Sequence, residues 1–97
     1  MKVLARPAGT GKTKELLETA IKENGTILTT NKRALMAKVS AYGLEGTVDI
    51  VEWSDILYGD YDKKKPLFIH KMDDVFGEYL KYDFGLNLEG YSITMED

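Results

Sequence analysis

The sequence contains no cysteine, which excludes disulfide bonds, thiolate metal ligands and cysteine nucleophiles and agrees with a reducing cytoplasm. No apolar run approaches the length of a membrane span or a signal-peptide core, so we expect a cytoplasmic chain without a membrane partner. A net charge of −3 argues against a strongly basic nucleic-acid-binding surface. The 97 residues, of which 43% are hydrophobic, predict one domain over residues 1–97 with a single core.

What the sequence does contain is a glycine-rich turn between an apolar segment, residues 2–5, and a helical pattern. The turn reads Arg6-Pro7-Ala8-Gly9-Thr10-Gly11-Lys12-Thr13 and is followed by Lys14. In a phosphate-binding loop the glycines let backbone N–H groups surround phosphate oxygens, and the helix dipole favours the anion. The lysine then contacts the outer phosphates and the threonine hydroxyl ligates Mg²⁺. We therefore predict nucleotide contacts at residues 6–14, with Thr13 as a metal ligand.

Arg6 departs from the full pattern Gly-x-x-x-x-Gly-Lys-Ser/Thr, whose first glycine would fall at residue 6. Either the arginine lies over the phosphates and replaces the usual glycine approach, or it points to solvent while Pro7 fixes the turn. A simpler alternative for the whole segment is a turn whose lysine is only solvated. The order of strand, loop and helix favours the phosphate-binding interpretation. The departure bears on hydrolysis more than on phosphate contact.

Strand-like and helix-like segments alternate along the rest of the chain. Predicted strands cover residues 26–30, 47–52, 67–69 and 91–95, and predicted helices follow Gly11, cover residues 32–42 after an Asn31 N-cap, cover residues 53–58 as a short turn, and include Val75 to Leu80. This alternation predicts an α/β fold with a small parallel sheet and flanking helices on both faces. Ligands bind beyond the carboxyl ends of such strands, so the loop at residues 6–13 and the residues after Ile69 are expected to converge.

A second acidic element usually follows a strand in nucleotide-binding proteins of this kind and holds Mg²⁺. The only candidates here are Asp73 and Asp74, because the position directly after the apolar run 67–69 is His70. If the strand continues through Met72, Asp73 takes the metal role and Asp74 orients water. If it ends earlier, both residues are helix N-terminal acids favoured by the helix dipole. We prefer the second interpretation, since a histidine and a lysine are costly in a buried strand.

His70 is the only histidine of the chain. It is a candidate for a phosphate contact or for proton transfer, but we expect a half-exposed residue at the end of a strand. Lys71 adds positive charge where a metal would otherwise lie. Together with Arg6, this charge suits a site that holds phosphate without a complete Mg²⁺ coordination shell.

The turn at residues 6–13 closely resembles the Gly-Pro-Ala-Gly-Thr-Gly-Lys-Thr loop of superfamily 1 helicases and related P-loop NTPases. Residues 29–34, Thr-Thr-Asn-Lys-Arg-Ala, look like the segment that those helicases use against single-stranded DNA. Beyond this first third, residues 68–75 and the closing strand are similar to small P-loop proteins of bacteriophages and prophages. The resemblance implies a minimal P-loop NTPase-like fold in a bacterial host cell. The chain has no room for the later helicase motifs, so unwinding by this chain alone is not expected.

These observations predict binding of ATP or another nucleotide, with weak or absent hydrolysis, in phage DNA metabolism. An alternative is an interaction module that kept the fold but lost the chemistry and binds a host or replication protein. An exposed apolar patch would favour it, with Trp53, Ile56, Leu57 and Tyr58 as candidates, although such aromatic residues more often lie in a core. Single-strand nucleic-acid binding through Asn31, Lys32, Arg33 and Lys38 is a third hypothesis, which the net charge disfavours. No segment indicates base specificity, oligomeric state or pathway.

Overall fold

The computed structural model describes residues 11–44, 48–90 and 92. Its elements in chain order are α1 (Lys12–Lys22), β1 (Thr26–Leu28), α2 (Lys32–Ala41), β2 (Asp49–Val51), α3 (Trp53–Tyr58), β3 (Leu67–Ile69) and α4 (Met72–Phe84). The predicted strand at residues 2–5 lies outside the described residues. So does the predicted strand at residues 91–95, apart from Ser92, which belongs to no strand.

The described strands form one parallel sheet with β1 in the centre, in the order β2-β1-β3. Leu28 of β1 is opposite Val51 of β2 on one side and opposite Ile69 of β3 on the other. All three residues of β1 are buried, as expected for a strand with a neighbour on each edge and helices on each face. This arrangement confirms the α/β architecture and the small parallel sheet.

One face of the sheet is covered by α1 and α2. Its buried cluster combines side chains of both helices with side chains of β1 and β2, namely Leu17, Ala20, Ile27, Leu35 and Ile50. Consecutive strand residues point to opposite faces, so Leu28 and Val51 belong to the other layer. There they pack with Val75 of α4, and Trp53 and Ile56 of α3 close the cluster at its margin. The expectation of helices on both faces is therefore confirmed.

The helix α2 begins where its sequence predicts. The side chain of Asn31 accepts a hydrogen bond from the amide of Ala34 at 3.0 Å, which satisfies one of the backbone donors that the first turn leaves open. Its apolar face is narrow, because Leu35 is buried and Val39 is half-buried but Met36 is 52% exposed. A helix that lies over the edge strand β2 needs only a narrow stripe, and the remaining apolar side chains stay in solvent.

Gly25 marks a close approach between the end of α1 and the start of β3. A Cβ atom at this position would lie 2.7 Å from the ring of Phe68 and 3.0 Å from the carbonyl oxygen of Pro66. The amide of Thr26 donates to that same carbonyl at 2.8 Å. Only glycine leaves room for the chain before β3 to pair here, which fixes β3 beside β1.

Candidate phosphate-binding site

The helix α1 begins at a glycine with a left-handed backbone. Gly11 has φ of 80° and ψ of 12°, a backbone conformation that residues with a Cβ atom rarely adopt. The helix starts at the next residue, Lys12. Nothing lies within 4 Å of the place where a Cβ would be, so the requirement for glycine is conformational and not one of space. The first amides of a helix have no partner within it, so here they and the positive end of the helix dipole point out of the amino end of α1.

His70 lies beside this helix start, directly after β3. Its backbone amide donates to the carbonyl of Leu28 at 3.0 Å, which continues the pairing of β3 with β1 by one residue. The imidazole lies between two hydroxyl groups. Its Nε2 is 3.4 Å from Oγ1 of Thr13 in α1, and its Nδ1 is 3.1 Å from Oγ1 of Thr29 after β1. The structure thus brings the predicted loop threonine and the residue after Ile69 together.

The expectation that His70 is a half-exposed surface residue is wrong, since only 9% of it is exposed. The reason is the parallel register, in which Leu28 is opposite Ile69, so that the next residues of the two strands, Thr29 and His70, lie side by side. From the other side, Thr13 in the first turn of α1 lies against the imidazole. A neutral imidazole donates from one nitrogen and accepts at the other, and a hydroxyl can do either, so both contacts are satisfied in each tautomer.

The surroundings of His70 lower its pKa below the usual 6.5. Burial is the largest cause, and the positive charges of Lys71, Lys38 and Lys12 act in the same direction, while Asp74 opposes them. Burial disfavours the imidazolium because it loses hydration, and neighbouring cations repel it. His70 is therefore neutral at pH 7.

Three lysines from three different helices act electrostatically on this one imidazole. Lys12 belongs to the first turn of α1, Lys38 to the last turn of α2, and Lys71 is the N-cap residue of α4. All three therefore act on the imidazole at the end of β3, and Lys12 and Lys71 directly neighbour Thr13 and His70 along the chain. An anion placed there gains from all three charges and from the helix dipole.

Lys71, the residue directly before α4, has a strained backbone conformation. Its φ of 57° and ψ of 69° are left-handed, and Asn24 is the only other non-glycine residue with positive φ in the described part of the chain. Left-handed backbone is tolerated by asparagine but costs energy for a lysine. Such outliers are concentrated at functional sites, where the surrounding structure maintains them.

Asp73 and Asp74 lie in the first turn of α4, and the strand β3 ends at Ile69. The alternative in which the strand runs through Met72 is therefore not what the structure shows, and the acids occupy the helix start that their dipole interaction favours. Both are exposed and line an open groove of about 730 Å³ between α4 and residues 86–90, which Glu78 and Glu89 also line. Within the described residues, no group of three or more histidine or carboxylate side chains gathers as a metal site.

The other predicted site residues divide into two groups. Arg6, Pro7, Ala8, Gly9 and Thr10 lie outside the described residues, and Lys14 is exposed on the first turn of α1.

The sequence pattern does not single out Thr29 as a partner of His70. The signal for it is weak, a threonine directly after a buried strand, and its role follows only once β1 and β3 are known to be neighbours.

The residues proposed for single-stranded nucleic acid occupy the start and the outer face of α2. Asn31 uses its side-chain oxygen as the helix cap, and the amide of Lys32 donates to Oε2 of Glu52 at 2.8 Å. Lys32, Arg33 and Glu52 line a shallow groove of about 480 Å³ together with Met36. A carboxylate in this groove reduces its attraction for a polyanion.

Of the four apolar candidates for an interaction surface, two pack against the core and two are exposed to solvent. The indole N–H of Trp53 donates to the carbonyl of Val75 at 2.9 Å, and its ring stacks on Tyr79 with centroids 4.7 Å apart. Ile56 is half-buried against the same cluster. Leu57 is 61% exposed and Tyr58 is 82% exposed. Only the second pair remains available to a partner.

No protein-family model, curated protein or solved structure matches the chain in the comparisons with known proteins. No helix among the described residues is both long enough and apolar enough to cross a membrane.

Proposed function

We propose that the chain binds a nucleotide, with ATP as the first candidate, at the amino end of α1. The observation that carries the proposal is that the Gly11-Lys12-Thr13 triplet of the sequence forms a left-handed glycine followed at once by a helix. Its first turn lies against the ends of β1 and β3, through the contact of Thr13 with His70 and of His70 with Thr29. This is the edge of a parallel sheet at which ligands bind.

The roles of the residues follow from their chemistry. Backbone amides from Gly9 to Thr13 surround the phosphate oxygens, and Lys12 contacts the outer phosphates. Lys38 and Lys71 add positive charge from α2 and α4, as their effect on His70 supports. Arg6 is the candidate for a contact over the phosphates. Of the two residues that the sequence pattern offers to Mg²⁺, Thr13 lies against His70 and Asp73 begins α4 and does not end β3.

Hydrolysis is proposed to be weak or absent. Cleavage of a nucleoside triphosphate needs a group that orients or deprotonates the attacking water. The residue at the end of β3 is a buried histidine, already in contact with two hydroxyl groups. The candidates for the acidic role, Asp73 and Asp74, belong to the first turn of α4. The resemblance of residues 6–13 to superfamily 1 helicases and of later segments to phage proteins supports a setting in phage DNA metabolism.

Calorimetric titration of the chain with ATP, ADP and GTP tests this function. We expect saturable binding of ATP that Lys12→Ala weakens at least tenfold while the circular dichroism spectrum stays unchanged, because Lys12 belongs to the first turn of α1 and to neither buried cluster. Lys22→Ala is the matched control, since this exposed lysine belongs to the last turn of the same helix. Absence of binding by the unmodified chain at millimolar nucleotide would contradict the proposal.

The second candidate function is an interaction module without nucleotide chemistry. Leu57 and Tyr58 favour it, because α3 presents both side chains to solvent directly beside the half-buried Trp53 and Ile56. The same titration separates the two functions. Nucleotide binding at Lys12 supports the first, and its absence in a folded chain leaves the surface of α3 as the better explanation.

A further inference from the structure

The position that holds Mg²⁺ in P-loop sites carries other residues in this chain. The sequence pattern assigns to the metal a hydroxyl from the first turn of the helix and a carboxylate at the end of the neighbouring strand. The hydroxyl is present as Thr13, but it faces Nε2 of His70 at 3.4 Å. The strand-end position is this imidazole, and Mg²⁺ prefers oxygen ligands in a near-octahedral arrangement. The residues at this position therefore do not fit the metal.

The nearest acids do not restore the missing ligand in the described arrangement. Asp73 and Asp74 come after the left-handed residue Lys71 and begin a new helix, so they are not at the end of β3. Both are exposed and line the groove toward residues 86–90. Between them and the end of the strand stands Lys71, a cation where a cation-binding group would be needed.

The positive charge that a metal would supply comes from side chains instead. Lys12, Lys38 and Lys71 act together on the buried imidazole between Thr13 and Thr29. Lys12 in the first turn of α1, Lys38 in the last turn of α2 and Lys71 directly before α4 are three positive charges that act on this imidazole against one negative charge, that of Asp74. A triphosphate without metal carries about four negative charges near pH 7, and bound Mg²⁺ cancels two of them, so a lysine-rich site gains more from the metal-free form.

We propose that the phosphate site takes metal-free nucleoside triphosphate, with Lys12, Lys38 and Lys71 neutralising the phosphates and His70 holding the Thr13 hydroxyl in place of a cation. This inference rests on the proposed function and names the form of the ligand that the same site accepts. His70 is a positioning residue in this arrangement, since it acts on the loop through Thr13 and anchors it to the end of β1 through Thr29.

Titration of the unmodified chain with ATP in excess EDTA and in excess Mg²⁺ tests the proposal. We expect affinity in EDTA that equals or exceeds the affinity in Mg²⁺, and a loss of about threefold to tenfold in EDTA for Lys38→Ala and for Lys71→Ala, with Lys22→Ala as the unchanged control. Binding that requires Mg²⁺ would overturn this inference and leave the proposed function intact. Binding in neither condition would overturn both.

His70→Asp provides a second test with an opposite sign. A carboxylate at the end of β3 gives Thr13 the oxygen partner that a Mg²⁺ site needs, so we expect this variant to bind ATP more tightly in Mg²⁺ than in EDTA. His70→Asn keeps a neutral side chain that can replace Nδ1 in the bond to Thr29 and adds no carboxylate, so it should retain the metal independence of the unmodified chain. A folded His70→Asp variant that responds to Mg²⁺ no more than His70→Asn would contradict the assignment of His70 to the metal position.

Discussion

A single imidazole connects three parts of the chain that are far apart in sequence. His70 follows β3, Thr29 follows β1 and Thr13 belongs to α1, yet two hydrogen bonds join them. The sequence placed His70 at the end of a strand but could not predict its burial. That burial depends on which strand is the neighbour of β3 and in what register, and neither follows from local pattern. The residue type alone predicts an imidazole at this position, whereas its burial between two hydroxyl groups depends on the order and register of the strands.

The buried His70 makes the stability of the fold dependent on pH. Its pKa is lower in the folded chain than the usual 6.5, so below about pH 6.5 the unfolded chain binds more protons than the folded one. The contribution of His70 to stability is thus complete above pH 6.5 and is lost as the pH falls through the folded pKa. We expect the midpoint of urea unfolding to decrease from pH 7.5 to pH 5.

Other groups also titrate in acid, so the comparison that isolates His70 is the slope of stability against pH in His70→Asn. Asparagine cannot be protonated in this range, and the slope between about pH 6.5 and pH 5 should become smaller in this variant. Equal slopes in the two proteins would show that His70 has the same pKa in both states and would contradict the effect of its burial.

At the scale of elements, the sequence predicted type and position well because local signals agree. The central strand was expected at residues 26–30 and is Thr26–Leu28, and the strand expected at 67–69 is Leu67–Ile69. Asn31 caps α2 as its residue type suggests. The start of α4 was harder to predict, because Lys71 has a left-handed backbone and a lysine gives no sequence signal for that conformation. The nucleotide contacts predicted at residues 6–10 and the strand predicted at residues 91–95 lie outside the described residues and stay predictions.

The turn between β3 and α4 provides a prediction at this scale. Replacing Lys71 by glycine removes the left-handed strain, and we expect Lys71→Gly to stabilise the fold by about 0.5–1 kcal/mol in urea unfolding. The same change removes one of the three lysines and should weaken ATP binding in EDTA. Stability and binding would then move in opposite directions, as expected where strain serves a site.

Asn24→Gly is the matched control, because Asn24 has φ of 53° and lies at the other end of β1, away from His70. Asparagine tolerates this conformation, so the stabilisation should be smaller and ATP binding unchanged. If Lys71→Gly destabilises the fold, the side chain of Lys71 holds this turn and the strain interpretation fails.

Taken together, the described residues form a three-stranded sheet between two separate apolar layers. The alternation of segments predicted both layers, since helices must cover each face of a parallel sheet. The order β2-β1-β3 could not be read from the sequence, because several orders satisfy the same pattern of elements. The convergence of the helix start with the residue after Ile69 was expected from the general rule for such sheets and is present as the contact between Thr13 and His70.

Because the layers share the sheet but not their buried side chains, substitutions on opposite faces should act independently. Ile50→Val removes a methyl group from the layer of α1 and α2 and should cost about 0.5–1.5 kcal/mol. Leu28→Ala opens the layer of α3 and α4 and should cost about 2–5 kcal/mol. We expect the double variant to equal the sum within about 0.5 kcal/mol in urea unfolding. A larger deviation would indicate that the two layers couple through β1.

The central position of β1 has a consequence for the order in which the fold is acquired. Thr26 pairs with Asp49 on one side and with Leu67 on the other, so both neighbours of this strand emerge from the ribosome after it. Pairing between such distant residues is slow, because a long loop must close before any bond forms. A nascent chain that ends before residue 67 still presents one open edge of β1. We infer that the contacts of His70 with Thr13 and Thr29 form only after residues 67–69 have been synthesised and β3 pairs with that edge.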